Sequence, residues 1–246
     1  IRLAESQKLA IGKALGNKLM VITGGPGTGK TTLVNSLLKT LEAKKLNIKL
    51  CAPTGRAAKR LSESTGLEAI TIHRLLEIDS AYGGLKRNEE SPLLCDYLVI
   101  DETSMVDIPL FYSLLKALPL NSALLLVGDV DQLPAVGAGQ VLKDIISSKV
   151  IATVKLTEIF RQAATSSIIT NAHRVNQGIL PNIQAPGEES DFYFIEAEHG
   201  ADIINKIITM VKDRIPKKFN LNPVQDIQLL CPMQRGGAGA RSLNVE

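Results

Sequence analysis

The run Val21-Ile22-Thr23-Gly24-Gly25-Pro26-Gly27-Thr28-Gly29-Lys30-Thr31-Thr32 carries the densest chemistry of this chain. A glycine, four residues and then Gly-Lys-Thr is the spacing of a P-loop. Gly24, Gly25, Gly27 and Gly29, with Pro26, Thr28 and Thr32 between and beside them, let the backbone curl so that several N–H groups face phosphate oxygens. Lys30 is suited to the β- and γ-phosphates and the Thr31 hydroxyl to Mg²⁺, at a helix start whose partial positive charge adds to both. The ligand these groups imply is a nucleoside triphosphate.

Further stretches offer complementary groups. Tyr97-Leu98-Val99-Ile100-Asp101-Glu102 is an apolar run ending in two carboxylates, the Walker B arrangement when it lies downstream of a P-loop. Asp101 can hold Mg²⁺ through its water shell, and Glu102 can polarise an attacking water. Gln132, in Gly128-Asp129-Val130-Asp131-Gln132-Leu133-Pro134, is neutral and bifunctional, able to sense a γ-phosphate without competing for the metal. Thr54, Arg56, Lys59 and Arg60 gather positive charge and a hydroxyl near a helix start, a pattern that grips a phosphate backbone without reading bases. A solvated basic helix face has the same composition. His73 fits a structural histidine or a nucleic-acid contact equally well. The Gln7 amide can read the two-faced edge of adenine, or can be a solvated helix glutamine.

The elements that must position these groups follow from periodicity. Leu19 to Ile22 reads as a buried strand, and Leu33, Val34, Leu37, Leu38 and Leu41 recur on one face of a helix. A short helix from Leu3 to near Gly16 precedes them. Strands are expected at Ile48–Cys51, from Tyr97, at Ser122–Val127 and at Ile151–Leu156, with helices after Pro53 and from Gln140 to Ser148. Such alternation predicts an α/β fold with a parallel sheet covered by helices on both faces, and a ligand at the carboxyl ends of its strands. Residues 77–96 are polar and turn-rich, with Gly83, Gly84 and Pro92, and read as a small inserted hairpin. After Thr157 comes a helix from Ser166 to Gln177 with Ile168, Ile169, Ala172 and Val175 inward. A strand (Phe192–Ile195), a helix (Ala201–Arg214) and a strand (Ile227–Cys231) then begin a second set. The expected domains are 1–155 and a partial second one over 156–246.

Composition narrows the class. Hydrophobic residues at 45% and charged residues at 22% of 246 are ordinary for a soluble globular protein. No apolar run approaches the roughly 18 residues that cross a bilayer, so no membrane partner is expected. Cys51, Cys95 and Cys231 are scattered without metal-ligand spacing, as in a reduced, cytoplasmic protein. A net charge of +3 is too small to argue nucleic-acid binding by itself. The start has neither an initiator Met nor a signal-peptide pattern, as in a piece of something longer.

Taken in order, the stretches resemble the RecD/TraA branch of superfamily 1 helicases, in particular the stand-alone RecD-like DNA helicases. They are GGPGTGKTT from Gly24, APTGRAAKRL from Ala52, TIHRLL from Thr71, VIDETSMVD from Val99, GDVDQLPAVGAG from Gly128, LTEIFRQ from Leu156 and LLCPMQRGGAGARSLN from Leu229. The resemblance implies a RecA-like P-loop NTPase domain and the start of a second RecA-like domain. It implies an ATP- and Mg²⁺-dependent motor that moves 5′ to 3′ on single-stranded DNA and opens duplex junctions. Gln7 would then read adenine, Lys30 and Thr31 serve phosphate and metal, and Asp101 and Glu102 serve metal and water. Gln132 would couple the γ-phosphate to DNA movement, Arg161 would act as an arginine finger, and Thr54, Arg56 and His73 would line the DNA track. The 77–96 excursion would be the family's pin. The family's later motor motifs and its N-terminal domain are not in this stretch, so full helicase activity is expected of a longer parent. Among rivals, a GTPase switch would use an Asn-Lys-x-Asp segment, whereas Asn205-Lys206 is followed by two isoleucines. A small-molecule kinase would need neither the basic track nor Gln132. The helicase module of a conjugative relaxase shares all these motifs.

Overall fold

A computed structural model describes residues 4–78, 84–158, 165–183 and 190–246. The chain divides into two compact units, one of Ile1–Asn182 with Glu189–Asp191 and one of Ile183–Glu188 with Phe192–Glu246.

The first unit is built on a six-stranded, wholly parallel sheet of strands β1 (Leu19–Gly24), β2 (Ile48–Ala52), β3 (Ala69–Thr71), β4 (Tyr97–Ile100), β5 (Ala123–Gly128) and β6 (Ala152–Leu156). Their order is β3-β2-β4-β5-β1-β6. Parallel neighbours need crossovers, and the helices that make them bury both sheet faces. The crossovers carry α1 (Glu5–Gly16) ahead of β1, then α2 (Lys30–Ala43), α3 (Gly55–Thr65), α4 (Ile72–Leu75), α5 (Ile108–Ala117) and α6 (Val141–Ser148). Strand residues alternate between two cores: Met20, Ile22, Val99 and Leu125 pack with α1 and α2, while Val21, Leu98, Ile100 and Leu126 pack with α5 and α6. All five apolar positions predicted for the helix after the P-loop (Leu33, Val34, Leu37, Leu38, Leu41) are buried. The short strand β3, of three residues, has too little pattern to be read from sequence; it exists because Leu50–Ala52 offer it an edge. In the 77–96 excursion, Ile78 and Leu85 form an antiparallel bridge and Arg87 pairs with Glu77 at 2.6 Å.

Helix α7 (Ser167–Asn176) lies where it is predicted but turns a different face inward. Ile168 is 54% and Val175 58% exposed and Ala172 is exposed, whereas Asn171 is buried. Paired hydrogen bonds made by Asn171 set the helix's rotation, and apolar periodicity does not.

The second unit contains α8 (Gly200–Thr209), a π-helical turn at Met210–Arg214 and α9 (Ile215–Phe219). Pro216 has no N–H, and its ring would strike the carbonyl of Lys212 in a regular helix; the widened turn removes that clash. The strands expected at 192–195 and 227–231 are not formed among the described residues. A strand needs a ladder of partners for its N–H and C=O groups, and no such ladder forms at either segment among the described residues. Among the described residues, no helix is long and apolar enough to cross a membrane.

Candidate active site

The parallel strands β1, β4 and β5 end on one edge of the sheet, with β5 between the other two. The P-loop leaves β1 and returns as α2, whose N-cap, Gly29, has φ 75°, and Gly27 has φ 74°. A side chain would strain the backbone at either position. Thr28 Oγ1 donates to the Gly25 carbonyl at 2.8 Å and tightens the loop from inside. Lys30 Nζ donates to the same carbonyl at 3.1 Å and also to that of Gly24. Its ammonium group is thus held at the loop's mouth by chain carbonyls. Thr31 is exposed, as is Pro26 within the loop, and Thr32 follows in the first turn of α2.

Gln7 is only 1% exposed. Its Oε1 accepts the Ala4 N–H at 3.1 Å and its Nε2 donates to the Gly29 carbonyl at 3.3 Å. The amide therefore ties the first helix to the end of the P-loop, and an adenine contact would draw on the hydrogen and lone pairs that remain.

Across β5, the chain leaving β4 presents Asp101 and Glu102. Glu102 sits at φ 52°, ψ 40°, left-handed for a residue with a side chain. Such strain costs about 1–3 kcal/mol and persists where surrounding structure imposes it. Here the Glu102 N–H donates to Asp101 Oδ1 at 2.9 Å, the Thr103 hydroxyl to the Ile100 carbonyl at 3.1 Å, and Met105 N–H to the Glu102 carbonyl at 3.1 Å. Gly128 closes the turn from the side, since a methyl group there would stand 3.3 Å from the amide nitrogens of Thr103 and Ser104. Burial pushes the Asp101 carboxyl above its ordinary range, against the pull of the Glu102 amide, Lys30 and Arg60. Glu102 is raised too, by burial first and then by the charge of Asp101, while Lys30 and Arg60 oppose and Asp129 adds. Both carboxyls thus stand within the field of Lys30.

Gln132 is exposed, and Ser104 Oγ lies 3.5 Å from its Oε1, beside the Glu102 turn. The predicted DNA-track residues stand at the opposite end of the same carboxyl edge. Ala52 of β2 is in register with Thr71 of β3, so the residues just past each strand, Thr54 and His73, are neighbours by topology. Thr54 Oγ1 accepts the Ala57 N–H at 3.2 Å as the N-cap of α3, and Arg56 and His73 are exposed. Arg161, the predicted arginine finger, lies outside the described residues.

The AAA domain family matches residues 7–138, more than half of the chain. The chain belongs to that family. It is homologous to the RecD and RecD2 helicases. It is 40% identical over 245 residues to the ATP-dependent RecD2 DNA helicase of Deinococcus radiodurans, covering 98% of this chain and 32% of that protein. It is 40% identical over 163 residues to the RecBCD enzyme subunit RecD of Haemophilus influenzae, covering 56% of this chain and 26% of that one. The chain therefore spans about a third or less of these relatives. The crystal structure of the Pif1 helicase from Candida albicans superposes with a TM-score of 0.56 at 25% identity, over 76% of this chain and 50% of that one.

Two features escape a reading of motifs. Arg60, one of the cationic groups of α3, acts electrostatically on Asp101 and Glu102, because α3 begins beside the end of β4. Helix α7 brings His173 against the P-loop, where a methyl group on Gly25 would lie 2.7 Å from the imidazole Cε1. No local signal marks either, since both depend on which strands become neighbours.

Proposed function

We propose that this chain is the ATP-hydrolysing portion of a DNA helicase motor of the RecD kind, which in the longer protein moves 5′ to 3′ along single-stranded DNA and opens duplex junctions. The observation that carries the reading is the sharing of one sheet edge. Lys30 and the Asp101–Glu102 pair stand at the ends of β1 and β4, and Thr54, Arg56 and His73 at the ends of β2 and β3. Hydrolysis at one end of a rigid edge can then be coupled to a nucleic-acid backbone at the other.

The residues suit the chemistry. The P-loop amides and Lys30 would hold the phosphates, and Gln7 would stand at the adenine end. Among the described residues no group of three or more His, Cys, Asp or Glu side chains could hold a metal alone. A Mg²⁺ would be held by the Thr31 hydroxyl and, through its water shell, by Asp101, and these groups fit such an ion. When bound, the ion would neutralise phosphate charge and favour the ionised carboxyls that burial disfavours. Glu102, close to Asp101 but turned by its left-handed backbone, would accept the proton of the attacking water. Gln132, beside Ser104, would report the γ-phosphate to the DNA side. Arg161 would complete charge neutralisation from a second RecA-like domain comprising 156–246, after a first domain of 1–155.

The test is ATP hydrolysis by the full-length parent with and without single-stranded DNA, followed by strand release from a forked duplex with a 5′ tail. Strong stimulation by DNA is expected. Turnover indifferent to DNA would overturn the helicase reading and leave a nucleotide switch.

A further inference from the structure

Helix α7 is fixed at both its start and its middle. Ser166 Oγ accepts the Ile169 N–H at 3.3 Å, and the Asp191 carboxylate accepts the Ser166 hydroxyl at 2.5 Å and the Ser167 N–H at 2.7 Å. Asn171, 3% exposed, donates to the Asn182 carbonyl at 2.9 Å and accepts the Asn182 N–H at 2.7 Å. Arg174 Nε donates to the Leu180 carbonyl at 2.9 Å. These contacts leave the helix little freedom to rotate, so the place of His173 is set by structure around it.

That place is the P-loop. The ring lies over Gly25, with both nitrogens 3.5 Å from where a methyl group on that glycine would stand. Its Nε2 is buried and has no hydrogen-bond partner among the described residues. Buried polar atoms are nearly always paired, and one left over at a functional site points to a ligand. The Gly25 carbonyl is the one that accepts from Lys30 Nζ, so His173 stands against the peptide where the loop's ammonium group is held. In a P-loop that group addresses the β- and γ-phosphates.

We propose that His173 is a nucleotide-binding residue of this site, its ring donating a hydrogen bond to the terminal phosphate of a nucleoside triphosphate. The helix that follows the sheet then supplies a fixed contact to that phosphate. This rests on the P-loop reading above and adds to it a contact from an element outside the P-loop and Walker B turns. A ring that served only to fill the space over Gly25 could be replaced by leucine without consequence for ligand choice.

The experiment uses the 246-residue chain, a fluorescent ADP analogue, and its displacement by ADP or by the slowly hydrolysed analogue ATPγS, with thermal melting in parallel. His173→Leu should weaken ATPγS binding by about tenfold or more, as loss of a hydrogen bond to a charged group does, and leave ADP binding within about twofold. His173→Gln, whose amide keeps a donor at comparable reach, should recover most of the ATPγS affinity. Unchanged ATPγS binding in His173→Leu, equal losses for both nucleotides, or no recovery in His173→Gln would overturn the assignment. A wild-type chain that binds neither nucleotide would overturn the P-loop reading together with it. A wild type that binds both, beside an indistinguishable leucine variant, would remove His173 alone.

Discussion

The two units differ in what holds them. In the first, a parallel sheet is packed on both faces, and side chains from Ala10 to Leu156 form two buried clusters. In the second, α8 has no buried residue, and Phe194, Ile195, Leu230 and Met233 are exposed. Beyond Leu156 no hydrophobic side chain is buried among the described residues. The same residue types are present in both, so composition does not separate them. The difference is that a helix satisfies its backbone within its own segment, whereas a strand does so only through neighbours. The second unit keeps its helices and lacks its expected strands, and the described site groups stand on the region whose strands are paired.

That contrast can be tested from its strongest consequence down. Among the described residues Lys30 Nζ bonds to carbonyls of its own loop, so Lys30→Ala should cut ATP turnover about a thousandfold, as loss of a preorganised charge does, with unchanged melting. A lowered melting temperature would make Lys30 part of the scaffold and blur the line between site and support. Leu37→Ala, in the middle of the core-facing stripe of α2, should cost about 2–5 kcal/mol in urea titrations. Ile203→Ala, on α8, should cost less than Leu37→Ala, because no side chain of that helix is fully buried and Ile203 is 37% exposed. Equal losses would break the comparison outright.

Smaller effects sharpen it. Glu102→Gln should slow hydrolysis roughly a hundredfold while nucleotide affinity is kept, which single-turnover kinetics beside equilibrium binding would read. If affinity fell in step, Glu102 would belong to the metal or to the turn. Thr54→Ala should cost about 1 kcal/mol through its lost cap, and Thr54→Ser should not. Arg56→Ala should lower the salt slope of DNA binding by about one ion. The least effect concerns Asp191, whose carboxyl the Ser166 hydroxyl holds below the usual range. Its folded value is depressed, so its support for α7 is present above the unfolded value and is lost as pH falls through the folded one. A carbon-detected NMR titration of Asp191 should therefore place its midpoint below that of an ordinary aspartate, and an ordinary midpoint would discount the cap.

The sequence by itself determined the phosphate loop, the carboxylate pair and most of the sheet. These are features whose residues are contiguous: Gly24 to Thr32 in one turn, Val99 to Glu102 in one strand end, and Leu33 to Leu41 on one helix face. Local spacing is enough for them because backbone geometry alone relates their atoms. Tertiary structure decided the rest. It chose the three-residue strand β3 by offering it the edge of β2, and it turned α7 so that Asn171 rather than Ile168 faces inward. It put Arg60 in the field of Asp101, and His173 over Gly25, 148 positions away in number and touching in space. Each of those outcomes is a relation between distant segments, settled by which strands pair and which buried amides find partners, and no window along the chain contains both halves of it.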